Sequence, residues 1–192
     1  MKKLLIILAI GTLFLFGCQD ENSVVEPVEK QIQQQQTDKH WLAFSDNQKN
    51  SIEEQYYLSK WINGANGGGF YFYGTMSSDV YVEGQLYVPA GAYDGLKKMG
   101  VTLDSETVTA DFSPSPSTFN KPVLYSIGYY GVDLSGINPN KVDFYYIDGN
   151  GKLVKANYDH IVVDVDNGFL AVYYAELPHF SRYGFVNNVQ DD

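Results

Sequence analysis

Few residues in this chain are of the types that do chemistry, and their spacing narrows the choice further. The histidines are His40, His160 and His179, the single cysteine is Cys18, and the sequence holds neither a Gly-x-Ser-x-Gly elbow nor a His-Glu-x-x-His helix. His160 follows Asp159 at the start of a predicted strand, a position that suits a turn residue better than half of a catalytic dyad. Two acidic turns, Asp148 to Gly151 and Asp164 to Gly168, place oxygen ligands at alternating positions. Asp148 with Asn150, or Asp164 with Asp166, therefore has the donor chemistry for Ca²⁺. Neither turn supplies the acidic twelfth residue of a calcium hand, and hairpin turn chemistry accounts for both stretches. No cofactor is expected. The chain has 16 tyrosines, with doublets at Tyr56-Tyr57, Tyr129-Tyr130, Tyr145-Tyr146 and Tyr173-Tyr174. In a strand one ring of each doublet points outward. Such rings either pair across strands and stabilise the sheet, the plainer use, or form a row able to stack on sugars or on a protein.

Cys18 is best understood from what precedes it. Met1-Lys2-Lys3 is a basic tip, Leu4 to Phe16 an apolar run, and Gly17 a small residue before the cysteine, the order of an export signal. The run falls short of the roughly 20 residues that span a bilayer, and Gln19-Asp20-Glu21 turns the chain sharply polar. Leu15-Phe16-Gly17-Cys18 resembles the lipobox of bacterial lipoproteins, which implies cleavage before Cys18 and acylation of its thiol; Phe16 is bulkier than the usual residue there. A thiol used as an anchor also explains a chain sent to an oxidising compartment with no partner for a disulfide. Gln19-Asp20-Glu21 resembles the acidic surface-export signal of Bacteroidetes-type lipoproteins, and is equally a solvated acidic tether.

The net charge is −10, and removal of Lys2 and Lys3 with the signal leaves the mature chain more acidic still. That balance argues against nucleic acid, and against anionic headgroups bound through a basic patch. Membrane contact is expected from lipid alone, at about 0.8 kcal/mol per buried CH₂.

The elements that must position these residues follow from composition and period. Residues 1–17 are read as the signal peptide and 18–39 as a disordered acidic, glutamine-rich tether, spanning on the order of 25 Å. Residues 40–63 read as a connecting segment in which the spacing of Ile52, Tyr56 and Leu58 to Ile62 is compatible with one short amphipathic helix. After the glycines at 64–69, which lack the Gly-Lys-Ser/Thr of a phosphate loop, short β-rich runs continue to residue 188, with a tail at 189–192. The clearest is Val80 to Val88, alternating Val80, Val82, Gly84, Leu86 and Val88 against Tyr81, Glu83, Gln85 and Tyr87. Further strands are read at 70–74, 107–112, 123–130, 142–147, 153–156, 161–165, 169–175 and 180–186. Asp148-Gly149-Asn150-Gly151 and Asp166-Asn167-Gly168 are hairpin signals that make their flanking strands antiparallel. About nine short strands over roughly 120 residues predict an all-β fold, an antiparallel β-sandwich with one core.

Three segments in order carry a family resemblance: Val88-Pro89-Ala90-Gly91-Ala92; Phe112-Ser113-Pro114 with Thr118-Phe119-Asn120-Lys121-Pro122-Val123; and Leu177-Pro178-His179-Phe180-Ser181-Arg182-Tyr183-Gly184. They resemble the ZU-five domain, the β-sandwich of zonula occludens proteins, Unc-five netrin receptors and ankyrins, over about residues 67–186. Some eukaryotic members cut themselves between Phe and Ser of a His-Phe-Ser tripeptide. The resemblance therefore implies an alternative in which Ser181 attacks the Phe180 carbonyl, His179 assists, and backbone strain drives the amide towards an ester. The same residues suit a plain final strand with Phe180 in the core and Ser181 outside, which is the preferred reading.

Together these observations predict a lipid-anchored interaction module of the bacterial cell envelope, on the outer membrane or the cell surface, without catalysis on external substrates. Its expected partners are the membrane, through lipid on Cys18, and an envelope or extracellular protein or glycan. Self-cleavage, and glycan or calcium binding, are the alternatives.

Overall fold

The alternation of Val80 to Val88 is the simplest guide to the architecture. The computed structural model describes residues 39–52 and 56–188. The predicted signal peptide, Cys18 and its lipid, the tether up to residue 38 and the tail therefore lie outside the described residues. Twelve strands follow in order: β1 (Lys39–Trp41), β2 (Tyr56–Asn63), β3 (Gly68–Thr75), β4 (Tyr81–Val88), β5 (Leu96–Leu103), β6 (Thr109–Ser113), β7 (Ser117–Tyr130), β8 (Val142–Ile147), β9 (Leu153–Lys155), β10 (His160–Asp164), β11 (Phe169–Phe180) and β12 (Arg182–Asn188). One α-helix, α1 (Asp46–Ser51), and a single 3₁₀ turn at Pro139–Lys141 complete the set among the described residues.

The strands form two antiparallel sheets, an all-β sandwich. One runs β2-β5-β6-β12-β8-β9 with β1 also on β12; the other runs β10-β11-β7-β4-β3. In β4, Val82, Leu86 and Val88 are fully buried while Tyr81 and Tyr87 stay exposed. Val123, Tyr125, Ile127 and Tyr129 of β7 and Leu170, Val172 and Leu177 of β11 extend the same inner face. The opposing sheet contributes Met99, Val101 and Leu103 of β5, Phe112 of β6 and Tyr183 and Phe185 of β12. Rings interlock across the gap: Phe112 meets Tyr125 edge-on at 4.8 Å, and Tyr129 meets Phe185 at 6.3 Å.

Both hairpins form as predicted, with Ile147 opposite Leu153 and Asp164 opposite Phe169. The segment 40–63 departs from its reading as a connector. Backbone hydrogen bonds run from Leu42 N to Phe185 O (2.7 Å) and from Val108 N to Leu42 O (2.7 Å), and Leu42 and Phe44 are buried. The helix is present but earlier than the spacing indicated, and Gln48 on it bonds Gly131 O (2.6 Å) and Asp133 N (3.1 Å). Residues 56–63, whose spacing is compatible with part of a short helix, are strand β2, paired with β5 residue by residue from Tyr56↔Leu103 to Asn63↔Leu96. Lys60 breaks the inward series Tyr56, Leu58, Ile62 because its amine reaches the Gly69 carbonyl at 3.0 Å, at the edge of the sandwich. That polar interruption disguised a period of two.

β7 and β11 run longer than predicted, through Pro122 and Pro178. Both prolines fall where the β11–β7 register jumps from Leu177↔Val123 to His179↔Thr118, so neither removes a ladder hydrogen bond. At Ser181 the chain bends and passes from the five-stranded sheet, as β11, into the seven-stranded sheet, as β12.

Candidate functional site

The outer face of the five-stranded sheet gathers the tyrosines that the alternating pattern turns away from the core. β4 presents Tyr81, Glu83, Gln85 and Tyr87. On one side β3 sets Tyr71 opposite Gln85 and Tyr73 opposite Glu83. On the other, β7 sets Ser126 opposite Gln85, Gly128 opposite Glu83 and Tyr130 opposite Tyr81. The small outward residues Ser126 and Gly128 leave a trough in the middle of the sheet. Tyr71 and Tyr73, 75% and 74% exposed, stand as one wall.

The second wall depends on an irregularity. Between Val172↔Ile127 and Ala175↔Tyr125 the β11 strand carries two residues against one, Tyr173 and Tyr174 against Ser126. Tyr174 has φ +53°, the only positive φ of a non-glycine residue among those described, and its backbone N–H donates to Ser126 Oγ at 2.9 Å. The bulge turns both rings of this doublet to the outer face, where regular pleating would send one inward. His160 stacks on Tyr173 at 4.4 Å and 17°, bracing the wall from β10. The resulting hollow is about 400 Å³, lined by both walls with Glu83, Gln85, Ser126 and Gly128 as floor. A second hollow of about 280 Å³ continues it, sharing Tyr71, Gln85, Ser126 and Tyr174 and ending at Tyr87 and Leu124.

Electrostatically the trough is neutral to acidic. No Lys, Arg or His lines either hollow, and Glu83 is the sole carboxylate. Tyr130 donates its hydroxyl to Glu83 Oε1 at 2.5 Å. That bond, with some burial, pushes the Tyr130 phenol up to about 12. Behind it Tyr81 lies 5.8 Å and Phe169 4.6 Å from the Tyr130 ring. Cross-strand pairing and outward display thus occur together.

The other doublets divide differently. Tyr129 is buried beside exposed Tyr130, and Tyr57 is exposed beside half-buried Tyr56. Tyr145 is covered because Lys39 lies over its ring at 4.5 Å, while Tyr146 stacks on Tyr183 at 5.2 Å.

The residues singled out for chemistry do not converge on the trough. Phe180 is buried, its ring 4.8 Å from Phe119 and 5.4 Å from Phe112. Ser181 Oγ donates to the Arg182 carbonyl at 3.4 Å. The His179 ring packs edge-on against Tyr146 at 4.9 Å, and the His179 carbonyl accepts from Tyr183 Oη at 2.7 Å. Ser115 Oγ donates to the Phe180 carbonyl at 3.0 Å.

In the acidic turns, Asp148 Oδ1 accepts from the backbone N–H groups of Asn150 and Lys152, at 2.9 and 2.8 Å. Those bonds, that of Lys152 foremost, hold its carboxyl below the usual range. Asp164 accepts from the side chain and backbone of Asn167, with the same consequence. Asn150 and Asp166 belong to the same two turns, and among the described residues no group of three or more His, Cys, Asp or Glu is placed to hold a metal ion. Compared with known protein families and with curated proteins, the chain matches none.

The floor residues Glu83, Gln85, Ser126 and Gly128 were not singled out by sequence. The alternation in 80–88 already turned Glu83 and Gln85 outward, but their convergence with Tyr71 and Tyr174 depends on strand order, which local pattern does not encode.

Proposed function

We propose that this protein is a lipid-anchored interaction module of the bacterial cell envelope, held through Cys18 and making contact through the tyrosine trough, without catalysis on external substrates. The observation that carries the reading is the trough itself: large rings left in water on a rigid sheet, opposite one another across a hydrogen-bonding floor. Tyrosine offers contact area at low conformational cost, and an exposed aromatic cluster of this kind marks a contact surface. A lone carboxylate in the lining supports binding over glycoside hydrolysis, which in most families uses a pair. The anchor and the envelope location rest on the N-terminal signal and Cys18. Kinship with ZU-five domains belongs to the same proposal and rests on the three motifs and the sandwich architecture.

The test is a photo-crosslinking residue placed at Tyr71, and separately at exposed Asn150, in intact cells, with Cys18→Ser as the anchor control. The expected result is an adduct from position 71 alone, labelled-palmitate incorporation by the parent chain, and loss of label and of membrane association in Cys18→Ser. No adduct at 71, or a parent chain that fractionates as soluble, refutes the proposal.

A second reading, self-cleavage between Phe180 and Ser181, has one contact in its favour. The Ser115 hydroxyl polarises the same carbonyl that Ser181 Oγ would attack. Intact-mass analysis of the parent chain beside Ser181→Ala decides it: a C-terminal peptide lost only from the parent supports cleavage, and one full-length species in both ends it.

A further inference from the structure

Resting on the reading of the trough as the contact surface, we propose that its occupant is a neutral oligosaccharide lying along β4 and β7. A pyranose ring is amphipathic in the sense the trough requires, with an apolar C–H face and a rim of hydroxyl groups. Tyr71, Tyr73 and Tyr174 offer ring faces and phenolic hydroxyls from the two walls. Gln85 offers both donors and an acceptor, Glu83 acceptors, and Ser126 a hydroxyl from the floor.

The dimensions suit a narrow, extended ligand. The walls stand on β3 and β11, three strand spacings apart, or roughly 14 Å between backbones. From Tyr81 to Tyr87 the trough follows six residues of β4, roughly 20 Å at the rise of an extended strand. The two adjoining hollows, about 400 and 280 Å³, divide that length into consecutive subsites around Tyr71 and Tyr174.

Charge and topology argue against the other extended polymers. Nucleic acid and sulfated or uronic polysaccharides need cations to replace their counterions. The lining has none, carries Glu83, and belongs to a chain of net charge −10. A peptide adding as a strand needs a free sheet edge, whereas β4 and β7, which floor the trough, are interior strands hydrogen-bonded on both sides. A peptide bound by side-chain anchors needs enclosed apolar pockets, and here the rings stand open to water.

The experiment is isothermal titration and ¹H–¹⁵N chemical-shift mapping of the full chain in detergent micelles. The probes are cellohexaose, laminarihexaose, xylohexaose, maltohexaose and chitohexaose, with heparin and polygalacturonate as anionic comparators. The expected result is saturable binding of at least one neutral hexasaccharide, with shifts centred on Gln85, Ser126 and Gly128. Tyr71→Ala and Tyr174→Ala should each raise Kd roughly three- to tenfold, the value of one aromatic contact, and Asn150→Ala should leave it unchanged. No binding by any neutral probe, equal binding by heparin, or unchanged Kd in both tyrosine variants overturns the assignment. If the oligosaccharides fail while the crosslinker at position 71 still captures an envelope protein, the glycan assignment falls and the interaction-module reading stands. If both fail, both fall.

Discussion

Replacing Phe180 with alanine measures the packing role of the His179-Phe180-Ser181 corner. Phe180 ends β11 at the point where the chain leaves one sheet for the other, and only 1% of its surface is exposed. Its ring lies between Phe119 and Phe112, and Phe112 in turn touches Tyr125 and Tyr183. Truncation removes the apolar transfer term and leaves a cavity ringed by aromatic side chains that are themselves fixed in both sheets, so the site collapses poorly. Phe→Ala changes of this kind cost about 3–5 kcal/mol, a large share of the roughly 5–15 kcal/mol that holds a domain folded. At about 2–4 °C per kcal/mol for a domain of this size, a 4 kcal/mol loss lowers Tm by roughly 8–16 °C. Phe180→Leu keeps most of the volume and should cost less than about 2 kcal/mol. Ser181→Ala removes one long hydrogen bond and should stay within about 0.5 kcal/mol. Urea titrations followed by circular dichroism and tryptophan fluorescence, with a constant m-value, supply all three numbers. An alanine variant costing under about 1 kcal/mol, or a leucine variant as damaging as alanine, refutes the packing argument.

Three further outcomes follow from the same geometry. Gly131 and Gly95 both have positive φ, at 77° and 81°, but a Cβ on Gly131 would stand 1.9 Å from the Asp79 carbonyl oxygen whereas Gly95 meets nothing within 4 Å. Gly95→Ala should therefore cost about 1–2 kcal/mol, the left-handed penalty alone, and Gly131→Ala markedly more, as thermal melts of the two variants will show. The Tyr130 phenol, raised to about 12 by its bond to Glu83, should titrate there by ¹³Cζ-tyrosine NMR and fall towards 10 in Glu83→Gln; because the folded value is the higher one, its stabilisation is complete below about pH 10 and is lost as pH rises through 12. Burial alone would raise the Asp104 carboxyl, but hydrogen bonds from the Thr107 and Glu106 backbone, the Thr107 hydroxyl and the nearby Arg182 outweigh it and hold it below the ordinary value. Its stabilisation is present above about pH 4 and lost as pH falls through the lower folded value, so the stability gap between parent and Asp104→Asn should narrow on acidification in urea titrations stepped from pH 6 to pH 3.

Local pattern was legible wherever one strand carried its own signal. Val80 to Val88 revealed its buried and exposed faces, and the turns at 148–151 and 166–168 revealed their hairpins, because pleating and positive-φ turn residues are properties of a few adjacent positions. The period of two in β2 is masked because Lys60 occupies an inward position yet escapes to the Gly69 carbonyl at the sheet edge, which leaves a spacing also compatible with a short helix. β5 escaped notice because Lys97 and Lys98 open it and Gly100 interrupts it, leaving Met99, Val101 and Leu103 as a short inward series. The trough was legible only in part. Its rings belong to β3, β4, β7 and β11, segments spread over more than a hundred residues of the chain, and the bulge that turns Tyr173 and Tyr174 together exists only as a mismatch against Ser126.

Glycine placement explains why the concavity lies on this face. Gly84 and Gly128 are cross-strand diagonal neighbours of opposite facing. A Cβ on Gly84 would stand 2.3 Å from Phe72 Cζ, so this glycine admits a core ring between the sheets. On Gly128 the nearest atoms to a Cβ would be those of the Phe169 ring, at 3.2 and 3.6 Å, and of the Tyr130 ring, at 3.7 Å, on the outer side. The first omission fills the core and the second empties the floor of the trough. Gly128 faces Glu83 in a central strand, and any Cβ there would have to displace the Phe169 ring by a few tenths of an ångström. That glycine stands beside Ser126, with tyrosines on both sides and a bulge turning Tyr173 and Tyr174 together to the outer face. Their common result is a hollow of about 400 Å³ on the outer face of the five-stranded sheet.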